Sequence, residues 1–271
     1  MKRKLISVCL MMLGGALAST GVNAQSTEDG IAQYREMLEM GGNPAELTEM
    51  EGEDLWFEER GPKNASLEQC DLGQGPGEIE NAYAQMPRYF EDADKVMDLE
   101  SRLLYCMDTI QGLDPEEQAD KAISGGSDYA SEMEALVAYV VAASRGVEIA
   151  VPQEHDKEKA AYERGEQIFF MRGGPYDFSC SSCHAVTGQR IRLQDLPNLN
   201  EAELAQRAYS SWPAYRVSQG SLRTMQWRLK DCFRQQRMPV LKYASQASVD
   251  LTTFLAVNAN GGTMDAPALK R

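Results

Sequence analysis

The sequence predicts an all-α chain made of two related halves. Apolar residues recur at three- and four-residue spacing through most of the chain, and few stretches alternate as strands do. Features also occur twice in the same order. Arg102-Leu103-x-x-Cys106 recurs as Arg228-Leu229-x-x-Cys232. Leu136-x-x-Tyr139-Val140 followed by Gly146 recurs as Leu251-x-x-Phe254-Leu255 followed by Gly261. Cys70 precedes Cys106 roughly as Cys180 precedes Cys232. A shared order of three features favours duplication over chance.

The elements follow in order. Residues 25–60 are acidic and read as two helical pieces, with Pro44 opening the second and Leu47, Met50, Leu55 and Trp56 on its apolar side. Residues 61–80, rich in Gly, Pro and Asn, read as loop. Helical patterning resumes from Asp92 to Ile110, and Asp114-Pro115-Glu116-Glu117 marks a further helix start. Ser124 to Ser127 reads as a turn, and Ser131 to Ser144 as an amphipathic helix stopped at Gly146. Val151-Pro152 marks the linker, which gives halves 25–150 and 151–271. Helices are then expected over Asp156–Met171, Glu201–Tyr209, Gln219–Gln236 and Gln246–Asn258, with a loop at Gln194–Asn200.

The start of the chain reads as a secretory signal over residues 1–24. Lys2, Arg3 and Lys4 form the charged region, Leu5 to Leu17 the apolar run, and Val22-Asn23-Ala24 a small-residue cleavage site. The run is too short for a membrane span. Its removal takes away three basic residues and Cys9, so a net charge of −14 becomes three units more negative. Such a field disfavours nucleic acid and anionic membranes. It also repels a small anionic substrate unless a local basic site overrides it.

Cys180-Ser181-Ser182-Cys183-His184 is the attachment signature of a c-type haem. Two thiols add across the porphyrin vinyl groups, and the adjacent imidazole becomes the proximal iron ligand. A redox disulfide would want a βαβ pattern around it, and zinc a second Cys/His pair; neither is present. The fold expected is therefore two tandem class I cytochrome c-like domains, with one haem c in the second. The first lacks C-x-x-C-H: Cys70 is followed by Asp71-Leu72-Gly73-Gln74, so Cys70 and Cys106 are left free to bond each other.

Cys232 is then an odd thiol. Two readings of the second axial ligand stand. Met238-Pro239 suits an electron carrier with His/Met ligation. Cys232 as a thiolate ligand accounts for the unpaired cysteine in an oxidising compartment and gives a lower potential. Around it, from Ala214 to Lys242, lie Arg216, Arg223, Arg228, Lys230, Arg234, Arg237 and Lys242 against the single acid Asp231. Arg228 and Cys232, at i and i+4, share a helix face, where a guanidinium lowers a thiol pKa and offers a fork to an oxyanion. A solvated face or a docking patch is the alternative for the cluster. His155 lies in a charged run at a helix start and is read as surface.

With these residues assembled, the chain resembles the SoxA family, c-type cytochrome subunits of the SoxAX complex of thiosulfate oxidation. The likeness rests on Ser66-Leu-Glu-Gln-Cys70, Asp92-Ala-Asp-Lys-Val-Met97, Leu99-Glu-Ser-Arg-Leu-Leu-Tyr-Cys-Met107, the C-S-S-C-H motif and Arg228-x-x-x-Cys232. It implies the single-haem kind, with a Cys70–Cys106 disulfide. It implies an L-cysteine S-thiosulfotransferase of the periplasm that couples thiosulfate to a cysteine of a SoxYZ-like carrier. Electrons would leave through haem to a cytochrome c acceptor. It implies a SoxX-like partner in a heterodimer. Cys180 and Cys183 would anchor the haem and His184 and Cys232 would ligate its iron. Cys232 would react as a persulfide, and Arg228 would bind substrate.

Overall fold

The computed structural model describes residues 42–124, 131–191 and 194–270, with isolated positions between 30 and 40. The expected signal, most of the first helical piece and most of the turn at Ser124–Ser127 lie outside the described residues.

Most expected helices are present, and most open on a side chain that caps the first turn; Ala202–Tyr209 does not. Helix α1, Pro44–Phe57, has Pro at its first position and Asn43 accepting from Ala45 N. Strands β1 (Arg88–Phe90) and β2 (Lys95–Met97) form a hairpin. Helix α2, Leu99–Cys106, is capped by Asp98 and runs into a π-helical turn over Met107–Gln111. Helix α3 is Pro115–Ser124. Helix α4, Glu132–Ala142, opens with a Ser131/Glu134 capping box. Helix α5, Asp156–Phe170, opens with His155 and Glu158 in the same arrangement. There His155 also stacks on Tyr89 at 3.8 Å, so it does structural work. Helix α6 is the short turn Cys180–His184, and β3 (Arg190–Ile191) with β4 (Gln194–Asp195) a small hairpin. Helix α7 is Ala202–Tyr209. Strands β5 (Ala214–Arg216) and β6 (Ser221–Arg223) precede helix α8, Met225–Gln235, capped by Thr224. Helix α9, Gln246–Asn258, and β7, Ala268–Lys270, close the chain.

The all-α expectation is corrected in one respect. Three small sheets accompany the helices: β1-β2, β3-β4, and β6-β5-β7, in which β5 and β7 run parallel. The helices expected to start at Asp92 and at Gln219 start at Leu99 and Met225, because the residues before them pair as hairpins.

The two halves repeat in three dimensions. The pairing Arg88–Met97, Tyr89–Val96, Phe90–Lys95 recurs as Ala214–Arg223, Tyr215–Leu222, Arg216–Ser221, the same register moved on by 126 residues. In each half the first and last helices cross closely, α1 on α4 and α5 on α9. A Cβ on Gly52 would collide with the Ala135 carbonyl oxygen, and one on Gly165 with that of Asp250. A glycine is required at both crossings.

The halves are joined by contacts that mirror each other. Gly146 N bonds Met264 O and Gly261 N bonds Ile149 O, both at 2.9 Å. Ile149 N donates to Gly262 O and Met264 N to Val147 O. The expected linker is tied down as well: Val151 N and O both bond the Asn260 side chain. Beneath lies a buried polar cluster. Gln226 donates through N to Glu100 Oε2 and through Nε2 to Asp98 Oδ2, and Tyr243 Oη donates to Glu100 Oε1 at 2.6 Å. The Arg223–Glu134 pair, 2.9 Å apart and buried on both sides, ties β6 to α4. One apolar core, with Trp56, Leu103, Leu136, Phe169 and Phe254, runs through both halves.

Candidate functional site

The site is assembled on α6 and α8. Ser179 starts α6 by bonding Ser182 N, which fixes the turn carrying Cys180, Cys183 and His184. The His184 ring is set by the loop that follows: Nδ1 lies 3.0 Å from Pro197 O, and Leu199 N donates to His184 O. With Nδ1–H donating to that carbonyl, Nε2 is left as the acceptor, the tautomer a metal needs. Burial, and then Arg228, pull the His184 pKa down and keep the ring neutral, although the Pro197 bond opposes them.

Cys232, from the third turn of α8, comes beside the motif. All three thiols are free, and Cys180 and Cys183 lie close enough to Cys232 to couple electrostatically. Burial, then Cys232, then Cys183, push the Cys180 thiol up to about 12, while its own backbone N–H opposes them. Burial also raises the Cys232 pKa. Arg228, one turn earlier, pulls it down without overcoming burial. The lowering expected from the guanidinium is present, but in the protein alone burial outweighs it.

A c-type haem fits this donor set. Two thiols sit two residues apart on one helical turn, an imidazole has an uncommitted Nε2, and a third thiol faces them. Apolar side chains at Phe170, Met171, Tyr176, Phe178, Val186 and Ile191 are exposed around the motif in sequence. Met238 is buried in the core, with its N bonded to Phe233 O.

The basic cluster is not one patch. Arg223 is buried against Glu134. Arg234 pairs with Asp231 at 2.6 Å, Arg237 lies over the Tyr176 ring, and Lys242 reaches toward Glu116 at 4.0 Å. Arg228 meets Asp231 at 3.5 Å. Arg216, at the end of β5, neighbours Arg228, Asp231 and Cys232, and its buried Nε has no hydrogen-bond partner. Burial and the like charge of Arg228 lower its pKa.

The first half shows where its cysteines stand. The isolated pairing Arg60–Ala65 recurs as Gly173–Phe178, 113 residues on, and places Ser66 with Ser179. Cys70 therefore takes the place of Cys183, with Leu67 and Asp71 at Cys180 and His184. The sequence alignment, which matched Cys70 to Cys180, is corrected accordingly. Cys70 and Cys106 form a disulfide, the counterpart of Cys183 beside Cys232.

Residues 51–149 and 164–264 match the family described as SoxA/TsdA, cytochrome c domain. A protein of Hydrogenophilus thermoluteolus is 47% identical over the whole of both chains. The chain belongs to the SoxA family. That relative is named L-cysteine S-thiosulfotransferase subunit SoxA, as is one of Hydrogenobacter thermophilus, 32% identical over 98% of both chains. The crystal structure of SoxXA from P. pantotrophus shares the fold of this SoxA-family chain. The TM-score is 0.71 at 24% identity, over 88% of this chain and 84% of that one. The two matched segments make it a protein of two cytochrome c domains. No helix among the described residues is long and apolar enough to cross a membrane.

Proposed function

We propose that this chain is the catalytic subunit of a periplasmic thiosulfotransferase, joining thiosulfate to a cysteine of a SoxYZ-like carrier. The observation that carries this reading is the meeting of Cys232 with Cys180 and Cys183, with Arg228 one turn before it. The names of its relatives support the reaction, and its likeness to the solved SoxXA complex supports a SoxX-like partner.

In the proposed reaction one S–S bond forms between the outer sulfur of thiosulfate and the carrier thiol. The thiol proton leaves, and two electrons must be carried off. A haem bound here would supply one-electron redox chemistry, passing electrons to a cytochrome c acceptor. Cys180 and Cys183 would hold it through thioether bonds. His184 and Cys232 would ligate its iron. In the protein alone burial keeps the Cys232 thiol protonated; metal ligation favours the thiolate, and Arg228 works in the same direction. Cys232 would be the reacting cysteine, carried as a persulfide once its thiolate has taken the outer sulfur of one thiosulfate, whose S–S bond breaks and whose sulfite leaves, with Arg228 holding the substrate anion beside it. The first half, with Leu67 and Asp71 in place of a cysteine and the histidine, would bind no haem, so the chain holds one.

The alternative reading, an electron carrier with Met238 ligation, predicts the opposite mutational pattern. In the complex with its partner subunit, Cys232→Ala is expected to abolish sulfur transfer while covalent haem is retained. A mass spectrum of the intact protein is expected to show one haem and extra sulfur that the variant lacks. Unchanged transfer by Cys232→Ala, together with a spectral shift in Met238→Ala, would overturn the proposal in favour of the carrier.

A further inference from the structure

The duplicated hairpin allows the surroundings of Arg228 to be compared with those of Arg102, its counterpart. Arg102 is almost wholly enclosed, and its Nε and Nη1 are both engaged. Its Nη1 bonds both oxygens of Asp92 at 2.9 Å, its Nε donates to Asp71 O, and its guanidinium lies 4.2 Å from the Phe90 ring centre and 5.0 Å from that of Tyr105. The shared register carries these positions to the second half without a gap. Phe90 becomes Arg216, Asp92 becomes the exposed Ser218, Tyr105 becomes Asp231 and Asp108 becomes Arg234.

The substitutions act together. The carboxylate that saturates Arg102 is gone, and an aromatic face is replaced by a second guanidinium. One acid is added, Asp231, but Arg234 at 2.6 Å and Gln235 already engage its two oxygens. Arg228 reaches it only at 3.5 Å. Two like charges thus act on each other near Cys232, and Arg216 Nε is buried with nothing to donate to. A buried donor without an acceptor is costly unless a ligand supplies one.

We infer that Arg216 is a second anion-binding residue, and that Arg216 and Arg228 together hold the sulfonate end of thiosulfate where the first half keeps its own Asp92 carboxylate. The tetrahedral sulfonate end has enough acceptor oxygens for two guanidiniums, and each planar fork fixes orientation as well as charge. The family motif supplies Arg228; Arg216 follows only from the hairpin register. The inference rests on the thiosulfate reading above.

The test uses the haem-loaded complex with its partner subunit, and thiosulfate as the probe. Calorimetry of Arg216→Phe, which restores the first-half residue, is expected to show about a tenfold weaker Kd, with KM raised and kcat changed far less; Arg216→Lys should recover part of the loss. Ser218→Asp, on an exposed loop, rebuilds the internal carboxylate and is expected to weaken binding similarly. It decides the matter if Arg216→Phe does not fold. Unaltered thiosulfate affinity in Ser218→Asp and in whichever Arg216 variant folds overturns the inference. So does a changed haem spectrum or midpoint with Kd unmoved, which would assign Arg216 to a haem propionate. Wild-type complex that binds thiosulfate with an Arg216-dependent Kd, yet transfers no sulfur, would sink the functional reading and leave the site standing. No binding by the wild type sinks both.

Discussion

Gly165 meets the backbone of Asp250 with no room for a side chain. A Cβ there would stand 2.7 Å from the Asp250 carbonyl carbon and 2.8 Å from Phe254 Cβ. Gly52 repeats the relation at Ala135 and Tyr139. These crossings bring the first and last helices of each half together and so set where α6 and α8 can lie.

Gly165→Ala is therefore expected to cost about 3 kcal/mol or more, since backbone rather than a flexible side chain must move. Thermal melts of the haem-loaded protein would show it. A midpoint within a degree of wild type would mean the crossing can open at little cost.

The disulfide of the first half closes a loop between positions 36 residues apart. Replacing both Cys70 and Cys106 by serine is expected to cost about 3–4 kcal/mol through the freed unfolded chain. The haem attachment proposed at Cys180 and Cys183 should persist. Denaturant unfolding and a haem stain on the same samples check both parts, and loss of haem would show that the first half does more than brace the second.

The Asp98–Glu100 cluster predicts an unusual pH response. Burial first, and then the charge of Asp98, raise the Glu100 pKa to about 8, well above 4.5. The folded chain thus binds a proton that the unfolded chain has lost, and stability from this group falls as pH rises from about 4.5 through 8. Glu100→Gln should flatten that fall, gaining on the order of 2 kcal/mol near pH 8, or about 4–8 °C in Tm. Parallel pH–Tm profiles of wild type and variant would decide it. Arg223 and Glu134 lie at the same seam, so both proteins must be measured at one ionic strength.

Much of this architecture was legible beforehand. Helices with a capping residue, such as Ser131–Ser144 and Gln246–Asn258, lie close to where they were expected, although both are buried on nearly every face rather than along one stripe. The hairpins were missed because three-residue strands such as Arg88–Phe90 are too short to show alternation, and Val96 and Met97 extend the helical spacing of α2 backwards. The haem motif and Cys232 could be found by counting thiols. Arg216 could not, because charge alone did not separate it from Arg223 or Arg234. A signal was nonetheless present: carrying the Arg-Leu-x-x-Cys repeat upstream sets Phe90 against Arg216. The cysteine match failed because it paired residues by type, whereas Ser66 and Ser179 show which turn position each occupies.

The reciprocal strip in which 146–149 and 261–264 bond each other bears on any attempt to isolate the half with the C-x-x-C-H motif. Cutting ahead of Pro152 would strip acceptors from Gly261 and Met264 and donors from Gly262 and Met264, and would free the Asn260 side chain. The half with the C-x-x-C-H motif is thus no detachable module: its last stretch of backbone is finished by its twin, and the half without the motif is the other face of a seal.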